Sequence, residues 1–307
     1  MSSLRVRCFG IAVSLVIRRR DWGPSEALAR RSRRVLGAPP SFQRLRSFGV
    51  RVTRTPAGEP PGEWVVAPAA GSRTILYLHG GGYVSCSPAT HRPIIAALAR
   101  GTPAQVFAPH YRLAPEHPYP AALDDAERAY EWLLSLGIPS NDIAVAGDSA
   151  GGGLTLALLM RLRDNGAALP ACGVLFSPWT DLAGTGASLH ENDGKDAMFR
   201  PENIAAFAAC YAPAAAWRDA SVSPVYGRLD GLPPLHFQVG SDELLRDDSV
   251  RLHERFQSSG GSSELVLYGG VFHVWQMLDG LVPEAGEALA RAGRFIKTAT
   301  AKVDRRA

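Results

Sequence analysis

The sequence predicts an α/β fold, a doubly wound and mostly parallel sheet with a helical cap, and three observations predict it. Short apolar runs recur that do not alternate with polar residues, as strands buried on both faces do. Longer helical stretches separate them in a β-α rhythm, which covers a parallel sheet on both sides. One stretch, Ser177 to Pro234, breaks that rhythm with Ala, Gly, Asn and Pro.

Residues 1–65 read as a helical, Arg-rich cap segment that ends in a Pro/Gly passage, Thr55 to Pro61. The catalytic domain is expected over 66–307. Its first strand is Thr74–Leu78, followed by a helix at Ile94–Ala99; Val106–Ala108 leads into the helical Pro120–Leu136. Ile143–Ala146 leads into Leu154–Arg163, and Gly173–Phe176 is the next strand. Leu235–Val239 precedes the helical Ser249–Gln257, and Glu264–Leu267 precedes Glu284–Ile296. The insertion, about 180–230, holds one helical patch at Pro201–Tyr211, with Pro201 suited to a first helical position. An insertion of this length at the C-terminal edge of a sheet serves as a lid or a pocket wall. With residues 1–65 it would cap the site.

At 307 residues, 46% hydrophobic and 20% charged, the chain has an ordinary globular composition, not a disordered one. Its net charge of +4 conceals an asymmetry. Residues 1–54 hold 13 Arg against two acids, Asp21 and Glu26, so about +11 lies there and −7 in the rest. Such an arm suits an anionic membrane surface or nucleic acid, or helices that dock back onto the acidic body. No groove-binding or finger-like motif accompanies the arginines, and no nucleic-acid partner is expected. The apolar Cys8–Ile17 follows Arg5 and Arg7 but runs into Arg18-Arg19-Arg20 without a cleavage site. It is too short to span a bilayer and reads as a helix packed over something apolar, with peripheral membrane contact as the alternative. Cys8, Cys86, Cys172 and Cys210 show no paired spacing, which argues against zinc or a disulfide framework and fits a reducing cytoplasm. Cys86 reads as a small buried hydrophobe near the site. The oligomeric state is left open, a homodimer included.

Two glycine-rich passages carry the chemistry. Gly147-Asp148-Ser149-Ala150-Gly151 lies between a short apolar strand and a helical run, the strand–turn–helix setting of a nucleophile elbow. Glycines at 147 and 151 let the chain fold back sharply. Ser149 then sits at the start of a helix whose positive end favours a developing anion. His79-Gly80-Gly81-Gly82-Tyr83 follows the first strand, where backbone N–H groups can approach a substrate oxygen unobstructed. The expected oxyanion donors are the N–H groups of Gly81, Gly82 and Ala150, with Gly80 also a candidate; each is worth ~3 kcal/mol in the transition state. His79 comes too early in the chain to be the base and reads as an anchor of its loop.

Of the eight histidines, only His273 follows the last strand and precedes the final helix, where a general base should lie. His91, His110 and His117 fall in early loops, His190 in the insertion, His236 in a strand and His253 in a helix. The acid should follow Leu235–Val239, and position alone does not choose between Asp242 and Glu243. Asp247 and Asp248 read instead as the start of the next helix.

With Tyr111-Arg112-Leu113-Ala114-Pro115-Glu116-His117, Ser177-Pro178-Trp179-Thr180-Asp181-Leu182 and Gly231-Leu232-Pro233-Pro234, these motifs resemble the bacterial hormone-sensitive-lipase family of α/β-hydrolases. The likeness runs from about Trp64 to the end; residues 1–63 match only loosely, as the family's variable N-terminal cap. The resemblance implies an α/β-hydrolase fold. It also selects the acid: aligning Leu245-Arg246-Asp247 on the family's D-P-L-R-D pattern puts Glu243 at the catalytic position. Two departures stand out. His110 replaces the usual Asp before Tyr111, and His273-Val274-Trp275 replaces the common H-G-F. The second is similar to a subgroup with monoterpene lactone hydrolases and acetyl hydrolases.

The expected function is a serine carboxylesterase acting on short- to medium-chain acyl esters, with Ser149, Glu243 and His273 as the triad and no metal or organic cofactor. Its expected partner is the small-molecule ester. A lactonase or small-molecule deacetylase would use the same groups, as would an amidase or peptidase. The rival of another class is a non-catalytic member of the fold that binds a small molecule under the cap.

Overall fold

A computed structural model describes residues 2–20, 22–23, 25–37 and 48–301. The N-terminal acid Asp21 and residues 38–47 of the expected cap segment lie outside the described residues, as does the side chain of Glu26. Eight strands form one sheet: β1 (Arg51–Arg54), β2 (Gly62–Val66), β3 (Thr74–Leu78), β4 (Gln105–Pro109), β5 (Ile143–Asp148), β6 (Cys172–Phe176), β7 (Leu235–Gly240) and β8 (Ser263–Tyr268). Their order is β1-β2-β4-β3-β5-β6-β7-β8. The β1/β2 and β2/β4 pairs are antiparallel and the other pairs parallel.

The central strands are apolar without alternation because both faces are covered. In β3, Leu76 and Leu78 enter one core and Ile75 and Tyr77 the other, as the period-two pleat requires. Helices α3 (Arg92–Gly101) and α9 (Pro283–Ala301) cover the Ile75 face, through Ile94, Ile95, Leu98, Leu289 and Ile296. On the Leu76 face lie α4 (Ala121–Ser135), α5 (Ala150–Asp164) and α8 (Arg246–Ser258). Asp247 and Asp248 do stand in the first turn of α8.

The segments expected to form a cap, the N-terminal one and the insertion, both contribute helices. α1 (Leu4–Val13) runs on through a π-turn at Ser14–Arg18, and α2 is Ser25–Leu36. The insertion contributes the single turn α6 (Ser188–Glu191) and α7 (Pro201–Tyr211). Val6 of α1 packs with Val271, Phe272 and Trp275, and Ser3 Oγ donates to Glu284 Oε2 at 2.9 Å. Trp22 meets Phe207 of α7 edge-on at 6.2 Å. Arg33 of α2 ties this layer to the body, pairing with Glu116 at 2.6 Å and donating to the carbonyls of Val84 and Ala114.

The expectation of helix through residue 65 is corrected by β1 and β2. Val52 and Thr53 favour a strand, but the flanking Arg51 and Arg54 are exposed at the sheet's edge, so no apolar run advertises it. α5 also starts at Ala150, four residues before the expected Leu154, because close packing overrides the low helix propensity of Gly151–Gly153. Among the described residues no helix is long and apolar enough to cross a membrane.

Candidate active site

β5 ends at Asp148 and α5 begins at Ala150, so Ser149 alone makes the turn, at φ 52° and ψ −123°. A non-glycine residue held there costs roughly 1–3 kcal/mol, which the surrounding hydrogen bonds must outweigh. Its N–H donates to Phe176 O at 2.9 Å, and its carbonyl accepts from Gly153 at 3.1 Å and Trp179 at 2.9 Å. The flanking glycines are required by space. A Cβ on Gly147 would stand 2.3 Å from Gly151 O, and one on Gly151 would stand 2.0 Å from Leu78 O.

Ser149 Oγ lies 2.9 Å from His273 Nε2, and His273 Nδ1 lies 2.7 Å from Glu243 Oε2. All three are buried, at 8%, 2% and 1% exposure, so their mutual electrostatics are little screened. The other carboxylate oxygen, Oε1, accepts from Ser177 Oγ at 2.8 Å and from the Gly240 N–H at 2.6 Å. Burial opposes a charge on His273, but the hydrogen bond and charge of Glu243 outweigh it, with Asp196 and Asp148 adding to them; the imidazole sits above its ordinary value. Asp242, next to Glu243, takes a hydrogen bond from Ser241 Oγ at 3.0 Å, while the His273 imidazole is bonded to Glu243.

The glycine loop is fixed from below. Asp148 Oδ1 accepts from Tyr77 Oη at 2.7 Å and from Gly80 N–H at 3.0 Å, while Oδ2 meets His91 Nε2 at 3.0 Å. Burial would raise the Asp148 pKa, but His91 and Tyr77 hold it below its ordinary value. The Gly80 N–H is therefore spent on Asp148 and is not available to a substrate. The N–H groups of Gly81, Gly82 and Ala150 have no protein acceptor among the described residues. His79 stacks on Tyr111 at 4.2 Å, its Nδ1 2.8 Å from Gly80 O, and burial pushes it down to about 3. It anchors the loop.

A cavity of about 240 Å³ opens at Ser149, Gly81, Gly82 and His273. Its walls are almost wholly apolar: Val13 and Leu36 from the N-terminal helices, Met198, Phe199, Ile204 and Phe207 from the insertion. Cys86 also lines it, and burial pushes its thiol up to about 12, well away from a nucleophilic thiolate. Among the described residues no group of three or more His, Cys, Asp or Glu could hold a metal ion. The arrangement can deprotonate a hydroxyl, hold an oxyanion and return a proton to a leaving group.

A family model described as the alpha/beta hydrolase fold matches residues 75–277. The chain is 41% identical over 253 residues to an acetyl-hydrolase of Streptomyces hygroscopicus, spanning 79% of this chain and 85% of that protein. It is 40% identical over 239 residues to an esterase of Acinetobacter venetianus, with 76% and 78% covered. The structure superposes on an esterase from the bacterial hormone-sensitive lipase family with a TM-score of 0.88 at 36% identity, covering 98% of this chain and 100% of that one. The chain belongs to the bacterial hormone-sensitive-lipase family of α/β-hydrolases.

Sequence reasoning passed over several residues at this site. Ser177 was visible inside Ser177-Pro178-Trp179, and its place after β6, between the serine and acid strands, was a usable signal. His91 reads as an ordinary loop histidine, and only the fold brings it to Asp148.

Proposed function

We propose that this chain hydrolyses short- to medium-chain acyl esters through an acyl-enzyme on Ser149. That it is a carboxylic ester hydrolase follows from its family, whose members above are an acetyl-hydrolase and two esterases. The observation that carries the residue roles is the unbroken relay Ser149–His273–Glu243 opening on an apolar cavity. Ser149 Oγ attacks the carbonyl carbon as His273 Nε2 takes its proton. Gly81, Gly82 and Ala150 hold the oxyanion, and the imidazolium, stabilised by Glu243, gives its proton to the leaving alcohol. Water repeats the sequence on the acyl-enzyme.

The cavity is small beside typical ligand sites and walled in part by α1, α2 and the insertion, which favours compact acyl groups. Across p-nitrophenyl esters from acetate to palmitate, kcat/KM should peak at short or medium chains and fall steeply towards palmitate. A palmitate optimum would overturn the proposed substrate range. A second reading, removal of an acetyl group from a small molecule, is favoured by the acetyl-hydrolase relative. A panel of acetylated alcohols and amines tests it.

We also propose a peripheral membrane contact through α1 and the π-turn that continues it, which expose Leu4, Ile11 and Leu15 beside the exposed Arg5, Arg7 and Arg19. The full chain should sediment with phosphatidylglycerol-containing vesicles and not with phosphatidylcholine alone, while a chain lacking residues 1–20 stays in the supernatant. Equal recovery of both chains would remove the role of α1. Light scattering on the same samples separates a monomer from the proposed homodimer, for which exposed Leu267 on edge strand β8 is the supporting feature. A cytoplasmic location is the proposal that the four free cysteines support, and cell fractionation tests it.

A further inference from the structure

The peptide bond that joins Glu243 to Leu244 is gripped at both of its polar atoms by the cap insertion. Its carbonyl accepts from Asn192 Nδ2 at 2.9 Å, and its N–H donates to Asp196 Oδ2 at 2.8 Å. Asn192 Nδ2 reaches the Ser241 carbonyl as well, at 3.0 Å, while its Oδ1 accepts from Lys195 Nζ at 3.3 Å, which fixes the sense of the amide. Both grip residues are sealed from solvent, at 2% and 3% exposure. They are joined to each other, the Asp196 N–H donating to Asn192 O at 3.0 Å.

The same carboxylate shapes the cavity. Asp196 Oδ1 accepts from the N–H groups of Met198 and Phe199, at 2.7 and 2.9 Å. Phe199 thereby lies edge-on to His273, with ring centroids 5.2 Å apart. Arg18, from the N-terminal segment, donates to the carbonyls of both Asp196 and Phe199. One buried aspartate thus connects the acyl-pocket wall to the main chain that bears Glu243.

A cap that only closed a pocket would need contacts at its rim. This one bonds the backbone of the residue whose carboxylate meets His273. A Glu side chain has three rotatable bonds, and its aim depends on where its own peptide units are held. We propose that Asn192 and Asp196 are positioning residues for the hydrolysis, acting through Glu243. The cap is then part of the triad's scaffold and seats the acid as it closes the pocket. The proposal rests on the reading of Ser149, His273 and Glu243 above.

The test is a double-mutant cycle in the full-length chain with Asn192→Ala, Glu243→Gln and the pair, on p-nitrophenyl butyrate. Active sites are counted with a serine-directed organophosphate, so that misfolded protein does not enter kcat. Asn192→Ala should lower kcat about 10- to 100-fold per titrated site with KM held within about threefold, the scale of a small misplacement of a catalytic group. In the Glu243→Gln background the same change should cost less than about twofold, because residues acting as a unit are not additive. Asn192→Asp keeps the shape and loses both donors, and it takes the place of the alanine if that variant does not fold. An unchanged kcat per titrated site overturns the proposal, and so does a fully additive loss in the pair. Hydrolysis that survives Ser149→Ala would instead overturn the reading of the site on which the proposal stands.

Discussion

Replacing Ser149 by alanine is expected to lower kcat on p-nitrophenyl butyrate by about 10⁵- to 10⁶-fold, the largest effect of any single change. Cys86 lines the cavity, but its buried thiol keeps its proton at neutral pH. His273→Ala should cost about as much, and the double variant little more, because the hydroxyl is a weak nucleophile without its base. Some acceleration over water should persist in each, since the N–H groups of Gly81, Gly82 and Ala150 are untouched. Stopped-flow kinetics on protein shown to be folded by circular dichroism makes the comparison. Near-wild-type turnover in Ser149→Ala would end the acyl-enzyme assignment.

Glu243→Gln should reduce kcat by about 10⁴-fold, the scale found when a triad carboxylate becomes an amide and the wrong imidazole tautomer is held. Asp242→Asn should stay within a fewfold of wild type, because His273 Nδ1 is bonded to Glu243 and the Asp242 carboxylate to Ser241. The pH profile separates orientation from charge. The base must be neutral to accept the Ser149 proton, so activity falls as pH drops through the His273 pKa. Burial lowers that pKa, while Glu243, Asp196 and Asp148 raise it, with a net upward shift. Removing the Glu243 charge therefore moves the acid limb of kcat/KM to lower pH. A loss confined to Asp242→Asn, with Glu243→Gln fully active, would hand the acid role to Asp242.

The β-α rhythm was legible because strands covered on both faces carry short apolar runs without polar alternation, set between longer helical stretches. The same logic failed for β1, where Val52 and Thr53 are set between exposed arginines at the edge. The serine turn was legible from Gly147 and Gly151, whose missing side chains leave a local trace. The candidate base was legible from chain order, since only His273 follows the last strand. Asp242 and Glu243 could not be separated by position, because chain order does not say which of two adjacent carboxylates will meet His273. Asn192 and Asp196 left no trace at all. Their partners lie about 50 positions away, and nothing in a polar run announces which backbone it will bond.

The hydrogen bond from Ser3 to Glu284 joins residues 281 positions apart. The seat of α1 is therefore made of residues synthesised long after α1 itself. Until residue 284 has emerged, α1 cannot dock, and the apolar surface that Val6 covers against Phe272 and Trp275 stays bare. A nascent chain accordingly carries α1 unsheltered until that seat has been made, the condition that recruits chaperones and invites aggregation. Slowing translation lengthens that interval without changing a single contact in the finished enzyme.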